Sequence, residues 1–248
     1  MKNSIKVFLQ KLLGFDRYLY FFSIYIINTL KWNKKEGDFV FFRNMVPDGG
    51  IILDIGANIG AMAVHLARTH KNSQIIAFEP IPDNVRCLKK VVGHYKLNNI
   101  TLIESALGEK AGTIEMVMPV NKSARLQGLS HVLHQSITEN NEGNKFVTPI
   151  TTLDDFFKNK NITDAVTAIK LDVENFEYFV LKGAENTIKK FKPLIYCELW
   201  DNKNRLDCFT LMKEHGYTIK VLHNNELIDF DHLLHKTQNF FFIPEQPN

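Results

Sequence analysis

Short apolar runs alternate with segments of helical spacing through most of this chain, from residue 51 to residue 243. The runs are short enough to be strands, and strands that alternate with helices are typical of an α/β fold with a mainly parallel sheet. Such runs lie at residues 51–54, 74–78, 100–103, 166–171, 194–199, 217–221 and 239–243. We therefore predict a doubly wound α/β fold.

Composition narrows the class of protein. The 248 residues are 45% hydrophobic and carry a formal net charge of +3, so no nucleic-acid partner held by phosphate neutralisation is indicated. Cys87, Cys197 and Cys208 form no CxxC pair, which favours reduced thiols, a cytoplasmic location and no metal site. The chain also lacks the GxxxxGK[ST] motif of P-loop nucleotidases and the HExxH motif of zinc proteases.

The first 48 residues differ from the rest of the chain. They are typical of helices and end at Pro47, before a Gly49–Gly50 turn. We predict an N-terminal helical extension at residues 1–48 and an α/β domain at residues 49–248.

Part of that extension, YLYFFSIYIINTL at residues 18–30, is almost wholly apolar. It is shorter than the ~20 apolar residues of a membrane span, and it has no signal-peptide cleavage site. Two interpretations stay open. The segment is either a helix packed on the domain or on a second subunit, or a peripheral membrane contact with Tyr18, Tyr20 and Tyr25 at the interface.

The run IILDIGANIG, residues 51–60, ends in an acid and then in glycines. Ligands of parallel sheets bind at the carboxyl ends of strands, where Gly56 and Gly60 allow close approach of the backbone. Asn58 breaks the GxGxxG pattern of dinucleotide sites. Asp54, expected at the mouth of the site, would repel a pyrophosphate but attract the two cationic groups of S-adenosylmethionine. The turn therefore favours S-adenosylmethionine as cofactor.

Glu79 ends the next run, IIAFEP. It follows the glycines by about twenty residues, the spacing at which an acid accepts hydrogen bonds from two ribose hydroxyls. Dinucleotide and adenosylmethionine folds share this acid, so Glu79 is predicted to bind the ribose.

Local signals also predict two helix starts and one long loop. Asp83 is expected to be the N-cap of a crossover helix. Thr152 stands three residues before Asp155 in a capping box. Residues 119–149 are polar and lack clear periodicity, which predicts a substrate loop or lid.

Two carboxylates stand at the end of the fourth run, in LDVE. Methyl transfer from S-adenosylmethionine needs alignment of the acceptor, and an acceptor that must lose a proton also needs a general base. Asp172 and Glu174 leave the strand near the expected methyl group. We predict Glu174 as the base, and Asp172 either in catalysis or as a cofactor or backbone cap.

Further candidates lie in less regular segments. His131, within QGLSHVLHQ, could act as a base or bind the acceptor, and His134 shares that segment. Three residues, Glu198, Trp200 and Asp201, follow the fifth run at the rim of the same cleft, where Trp200 either packs against the domain or stacks on a sugar.

A set of ordered motifs, within a resemblance that covers roughly residues 36–244, begins at Leu53: LDIGANIG, AFEPIPDN, ESALGEKAG, TTLDDF, IKLDVENFEYFVLKGAE, KPLIYCEL and NFFFIP. Taken together, they resemble the FkbM-type methyltransferases, a branch of the class I S-adenosylmethionine-dependent enzymes. The resemblance implies a seven-stranded sheet whose last strand, NFFFIP, runs antiparallel to its neighbour. It also implies methyl transfer to an oxygen, typically a hydroxyl of a sugar or of a glycosylated or polyketide-type metabolite.

The resemblance also assigns cofactor-binding residues. The methionine and ribose end of the cofactor would be lined by Asp54, Gly56, Ala57, Asn58 and Gly60. Glu79 would bind the ribose, and Ser105 with Ala106 would contact the adenine. One position departs from the family, which usually has glycine after DVE where this chain has Asn175. Asparagine tolerates left-handed backbone better than most residues, so the turn is expected to survive.

Other functions fit the sequence less well. A nucleic-acid methyltransferase would carry a (D/N)PP(Y/F/W) motif, which the chain lacks. The triplet DFD at residues 229–231 would suit a metal-dependent glycosyltransferase, but Asp231 is a natural helix cap there. We therefore predict an O-methyltransferase that acts on a small-molecule or glycan hydroxyl acceptor. The alternative is a methyltransferase-like binding or scaffold module without turnover.

Overall fold

The computed structural model describes residues 2–121, 124–125, 130–134 and 141–245. The helices in these ranges are α1 (Lys2–Leu13), α2 (Phe15–Thr29), α3 (Gly37–Met45), α4 (Ala61–Thr69), α5 (Pro82–His94), α6 (Leu153–Lys160), α7 (Glu177–Lys182), α8 (Glu185–Phe191) and α9 (Lys203–Glu214). The strands are β1 (Ile51–Ile55), β2 (Gln74–Phe78), β3 (Ile100–Ile103), β4 (Ala106–Leu107), β5 (Gly112–Asn121), β6 (Ala124–Arg125), β7 (His131–Val132), β8 (Gly143–Thr151), β9 (Val166–Leu171), β10 (Leu194–Glu198), β11 (Tyr217–His223), β12 (Glu226–Asp229) and β13 (Asn239–Pro244).

The main sheet has the strand order β12-β11-β13-β10-β9-β1-β2-β3. Strands β10, β9, β1, β2 and β3 are parallel, whereas β13 is antiparallel to both β10 and β11. The predicted α/β fold with an antiparallel last strand is confirmed. The predicted count of seven strands is wrong by one, because β12 folds back on β11. The turn between them, Asn224 and Asn225, has φ of 50° and 64°, the left-handed backbone that a two-residue hairpin requires.

Helices cover both faces of this sheet, because the strand side chains alternate between two cores. Ile51, Leu53 and Ile55 of β1 belong to the core formed with α6, α7, α8 and α9. Ile52 packs with Phe39 and other residues of α3 and α4 on the opposite face. Every side chain of β1 is buried, so Asp54 lies inside the protein on the same face as Ile52.

One face of α2 packs on the domain. Tyr18, Leu19 and Ile27 are buried against residues of α4 and α5, and the Ser23 hydroxyl donates a hydrogen bond of 2.8 Å to the Ile59 carbonyl. The sequence left open whether residues 18–30 pack on the domain or a second subunit, or contact a membrane. This face of α2 packs on the domain. Tyr18 cannot contact a membrane, since only 6% of it is exposed. Within the described residues, no helix is long and apolar enough to cross a bilayer.

A second sheet is built from β4, β8, β5 and β6, with β7 paired to β5. Strands β5 and β8 form a long antiparallel ladder from Gly112↔Ile150 to Pro119↔Gly143. The prediction of a loop throughout residues 119–149 is therefore wrong at both ends. The burial of β8 alternates only from Val147 to Ile150, and there Val147 is exposed while Thr148 is buried, so the sequence does not show the apolar–polar alternation that marks a half-buried strand. The rest of the predicted lid lies partly outside the described residues, at 122–123, 126–129 and 135–140.

The two helix-start predictions had different outcomes. Thr152 caps α6, where its hydroxyl accepts a hydrogen bond of 2.9 Å from the Asp155 amide. Asp83 is not an N-cap, because α5 begins at Pro82 and Asp83 lies in its first turn beside Arg86. Proline is favoured at the first helical position, so the helix starts two residues earlier than predicted, with Ile81 as its N-cap.

Candidate active site

A cavity opens at the carboxyl ends of β1, β2 and β9. Parallel strands end at the same edge of a sheet, so residues distant in the sequence meet there. Gly56 follows β1, Glu79 follows β2, and Asp172 with Glu174 follows β9. The second sheet closes another side with Met116 and Val132. The cavity therefore lies where the sequence predicted a ligand site.

Gly56 is held between two neighbouring strand ends. It has a φ of 78°, and a Cβ atom there would lie 1.8 Å from the Asp172 carbonyl oxygen. Its amide and that of Ala57 both donate hydrogen bonds to the Phe78 carbonyl, at 3.1 and 2.9 Å. Only glycine combines this backbone conformation with this close approach, so the residue fixes the first turn of the cavity wall.

Glu79 lines the cavity and is only 4% exposed. Its carboxylate accepts hydrogen bonds from the amides of Asn58 and Ile81 and from the Asn84 side chain, at 2.7, 2.9 and 3.1 Å. Burial raises its pKa to about 7, although these hydrogen bonds oppose the rise. A carboxylate has about four lone-pair sites, so one site remains for a ligand hydroxyl rather than the two predicted from sequence.

The cavity fits a polar, cationic ligand. Asn58 Oδ1, Asn84 Oδ1 and Ser130 Oγ are buried and lack a hydrogen-bond partner among the described residues, although all three residues line the cavity. The charged lining residues are all acidic, namely Glu79, Asp172 and Glu174. Buried polar atoms need partners, and carboxylates favour a cation, so this lining suits S-adenosylmethionine.

Asp54 is not at the cavity mouth, and that part of the prediction is wrong. It is fully buried on the α3 and α4 face of the sheet and does not line the cavity. The Lys170 ammonium lies 3.4 Å from an Asp54 carboxylate oxygen, and the two residues are register partners on β1 and β9. Burial raises the pKa of Asp54, which Lys170 opposes. Its charge is therefore matched inside the protein.

Lys170 contacts both the buried Asp54 and the cavity residue Asp172. It was not identified from the sequence. Its ammonium is also 3.4 Å from Asp172 and donates a hydrogen bond of 3.0 Å to the Gly56 carbonyl. Burial lowers the pKa of Lys170, but Asp172 and Asp54 outweigh this effect and the net shift is upward. A lysine inside a mostly apolar, buried strand was the available signal, because a buried cation needs a buried acid.

The turn after β9, residues 172–175, has an unusual backbone. Glu174 and Asn175 both have positive φ, 53° and 74°. Two side chains hold this turn. The Glu177 carboxylate accepts hydrogen bonds from the amides of Val173 and Asn175, at 3.2 and 3.1 Å. The Asn202 side chain donates a hydrogen bond of 2.8 Å to Asn175 Oδ1. Asparagine therefore does adopt the left-handed backbone at the position where the family has glycine. The sequence did not reveal Glu177 as the residue that holds the turn.

Replacing Asn175 with alanine should destabilise the protein more than replacing it with glycine. Alanine loses the hydrogen bond to Asn202 and strains the left-handed backbone, which costs roughly 1–2 kcal/mol for ordinary L-residues. Glycine loses only the hydrogen bond, about 0.5–1.5 kcal/mol. Urea unfolding of both variants measures the difference, and equal losses would contradict a strained turn at this residue.

Glu174 lies in a group of carboxylates. It lines the cavity, and burial together with Asp172, Glu198 and Glu177 raises its pKa. Burial and the Asp172 charge also raise the pKa of Glu198, which does not line the cavity. Such shifts hold a carboxyl group in its neutral form near neutral pH, as in many general acids and bases.

The other predicted residues are divided between the cavity and its surroundings. Ser105 and Ala106 line it, as does Asn58, while Ala57 and Gly60 do not. His131 does not line it: its neighbours Ser130 and Val132 do, so alternation along the segment turns its ring away. That ring is 4% exposed, and its Nε2 is 2.9 Å from Asn141 Oδ1. The structure thus does not bring His131 to the site.

Three remaining candidates, His134, Trp200 and Asp201, also lie outside the cavity lining, and Asp201 is exposed and pairs with Arg205. The His134 ring packs on Phe176 and Phe179, with centroids 5.8 and 4.6 Å away. Trp200 is half-buried and does not line the cavity either.

Comparisons with known proteins identify the family of the chain. The family model described as the methyltransferase FkbM domain matches residues 54–225. Methyltransferase 1 of Beauveria bassiana is 24% identical over 187 residues, covering 71% of this chain and 75% of the relative. Methyltransferase sdnD of Sordaria araneosa is 21% identical over 196 residues, covering 70% of this chain and 76% of the relative. A solved methyltransferase FkbM of Methylobacillus flagellatus shares the fold, with 21% identity, a TM-score of 0.53, and coverage of 80% of this chain but only 45% of that chain.

The protein has the architecture of class I S-adenosylmethionine-dependent methyltransferases, namely a mainly parallel sheet in which β12 and β13 run antiparallel, a glycine turn after β1 and an acid after β2. Since the family model covers more than half of it, the chain belongs to the FkbM methyltransferase family.

Proposed function

We propose that this enzyme transfers the methyl group of S-adenosylmethionine to a hydroxyl of a sugar, a glycan or a glycosylated metabolite. The observation that carries the proposal is the position of Glu174, a cavity-lining carboxylate whose surroundings raise its pKa. A hydroxyl is a very weak acid, so its methylation gains from a base whose pKa is raised toward that of the acceptor. The resemblance to enzymes that methylate sugar and metabolite hydroxyls supports the same acceptor class.

Each residue of the cavity then has a distinct role. The cofactor supplies an electrophilic methyl group. Glu174 accepts the proton from the acceptor hydroxyl, and Asp172, held by Lys170, positions that hydroxyl. Glu79 and Asn84 accept hydrogen bonds from the ribose, through the one free carboxylate site and through Asn84 Oδ1. Ser105 and Ala106 are proposed to contact the adenine.

Calorimetric titration with S-adenosylmethionine, S-adenosylhomocysteine and NAD tests the cofactor assignment. The wild type should bind both adenosyl ligands and not NAD. Glu79→Gln and Glu79→Ala should abolish binding, whereas Glu104→Gln should not. Glu104 is a matched control because it also follows a strand, β3, but is exposed and pairs with Lys89. Since the pKa of Glu79 is about 7, affinity should fall when the pH is lowered from about 8 to about 6 and the carboxylate gains a proton.

Two results would overturn the proposal. Absence of binding by folded wild-type protein would leave a binding or scaffold module without turnover. Binding without methylation of any hydroxyl in a screen of sugars, glycans and glycosylated metabolites with labelled cofactor would reject this acceptor class.

A further inference from the structure

The N-terminal helices expose an apolar face that nothing else in the described chain covers. Phe8 and Leu12 of α1 are 62% and 67% exposed, and Phe21 and Tyr25 of α2 are 56% and 62% exposed. Within each pair the spacing is four residues, so each helix presents one apolar stripe outward. Trp32, which is 69% exposed, follows α2 in a short 3₁₀ turn. We call these five side chains the apolar face.

This exposure is concentrated in one part of the sequence. Among the described residues, five of the eleven exposed large hydrophobic side chains lie within the first 32 residues. The buried side of α2 already packs on the domain, so the apolar face is not needed for folding of the helix. Concentrated apolar exposure of this kind marks an interaction surface.

Basic residues accompany the apolar face. Seven of the 30 basic residues but only one of the 27 acidic residues lie in residues 1–35, a charge of +6, so residues 36–248 carry −3. Lys11, Arg17, Lys31, Lys34 and Lys35 are exposed, and no described carboxylate lies within 4 Å of any of them. A partner for this surface must therefore be both negatively charged and able to bury aromatic side chains.

A groove beside the apolar face has the same chemistry. It is lined by Arg17, Tyr20 and Phe21 of α2 and by Lys90 and His94 of α5. Tyr20 and His94 are joined by a contact of 3.0 Å between the hydroxyl and Nδ1, while Arg17 and Lys90 have no described carboxylate partner. Two unpaired cations with an aromatic rim suit a phosphate headgroup at the edge of an apolar layer.

The geometry points to a bilayer surface that contains anionic phospholipid as the partner of this face. Phe, Tyr and Trp side chains would enter the interfacial layer while the lysines and Arg17 bind headgroup phosphates. The charge distribution disfavours a second copy of this chain as the occupant, because two faces of +6 repel each other. The charge of −3 on the rest of the chain turns the basic end toward an anionic surface. This docking does not depend on which acceptor the cavity methylates.

Vesicle co-sedimentation of the full chain tests the inference. The wild type should bind vesicles of phosphatidylcholine with phosphatidylglycerol, bind phosphatidylcholine vesicles far more weakly, and be released by high salt. The variant Phe21→Ser/Tyr25→Ser/Trp32→Ser should lose binding. Its matched control is Val147→Ser/Leu233→Ser/Leu234→Ser, which removes three equally exposed apolar side chains elsewhere and should bind like the wild type.

The charge contribution is tested separately. Arg17→Glu/Lys90→Glu should weaken vesicle binding by roughly thirtyfold or more, since each basic residue near an anionic surface adds about 1 kcal/mol. Lys158→Glu/Lys160→Glu on α6 changes the net charge equally and should have little effect. Trp200→Phe leaves Trp32 as the single tryptophan, and its fluorescence should shift to the blue with anionic vesicles.

Several outcomes would overturn the inference: equal binding to neutral and anionic vesicles, unchanged binding by the triple serine variant, or no vesicle binding at all. A dimer in sedimentation experiments that the same triple variant dissociates would assign the apolar face to a second copy instead.

Discussion

Replacing Lys170 with methionine is expected to destabilise the fold by about 3–5 kcal/mol, because removal of one partner leaves a buried charge uncompensated. Asp54 is fully buried and has the Lys170 ammonium as its cation, at 3.4 Å. Methionine has a similar volume, so the loss reports the charge and the hydrogen bond to the Gly56 carbonyl rather than a cavity. Chemical denaturation of wild type and variant measures it.

Lys220→Met is the matched control for this variant. Lys220 also lies on a strand of the main sheet and pairs with an aspartate on its neighbour, Asp229, at 2.7 Å. The Asp229 side chain is 82% exposed, so this pair should contribute only about 0–1 kcal/mol. Equal losses in the two variants would contradict the assignment of Lys170 as the cation that stabilises Asp54.

The pH dependence of the stability loss in Lys170→Met tests whether Asp54 is the group that causes it. Without Lys170, burial should raise the pKa of Asp54 further above its ordinary value of 3.8. The folded variant then keeps a proton that the unfolded chain releases, so lowering the pH stabilises the folded variant. The stability gap between the variant and the wild type should therefore narrow as the pH falls through the folded pKa of Asp54, and widen again toward neutral pH.

The sequence predicted the parallel core of the fold well, for a physical reason. Strands such as β1 and β9 are buried on both faces, so they appear as apolar runs bounded by polar residues. Strands with exposed faces leave no such signal. β12 and most of β8 are exposed or half-buried, and both were missed. Burial on both faces therefore explains the prediction of β1 and β9, whereas β3 was predicted although its residues are only partly buried or exposed, and β5 was missed although its central residues are buried.

The site was predictable where it depends on strand ends, and not where it depends on contacts across the sheet. Gly56, Glu79 and Glu174 each follow a strand, and the structure brings them to one cavity. Asp54 was misplaced because the side of the strand on which its carboxylate lies depends on which face the helices cover. Its partner Lys170 is more than a hundred residues away, so only the strand register joins them.

Replacing Glu174 with glutamine is expected to lower kcat by about 10²–10⁴-fold while leaving S-adenosylmethionine binding intact, because the base is lost but the shape is kept. The base must be ionised to accept a proton, and its pKa is raised by burial and by Asp172, Glu198 and Glu177. Activity of the wild type should therefore rise with pH through this raised pKa. The Glu174→Gln variant should lose that rise. Methyl transfer to the acceptor found in the hydroxyl screen measures both.

The Glu198→Gln variant tests whether Glu174 acts as the base or whether any negative charge near the cavity supports activity. Glu198 does not line the cavity, but its charge helps to raise the pKa of Glu174. Its removal should lower that pKa, so the rise in activity should move to lower pH while the plateau value of kcat is kept. If Glu174→Gln instead keeps both its plateau and its pH dependence, the proton goes to another group, and Asp172, the other acid at the end of β9, becomes the base to test.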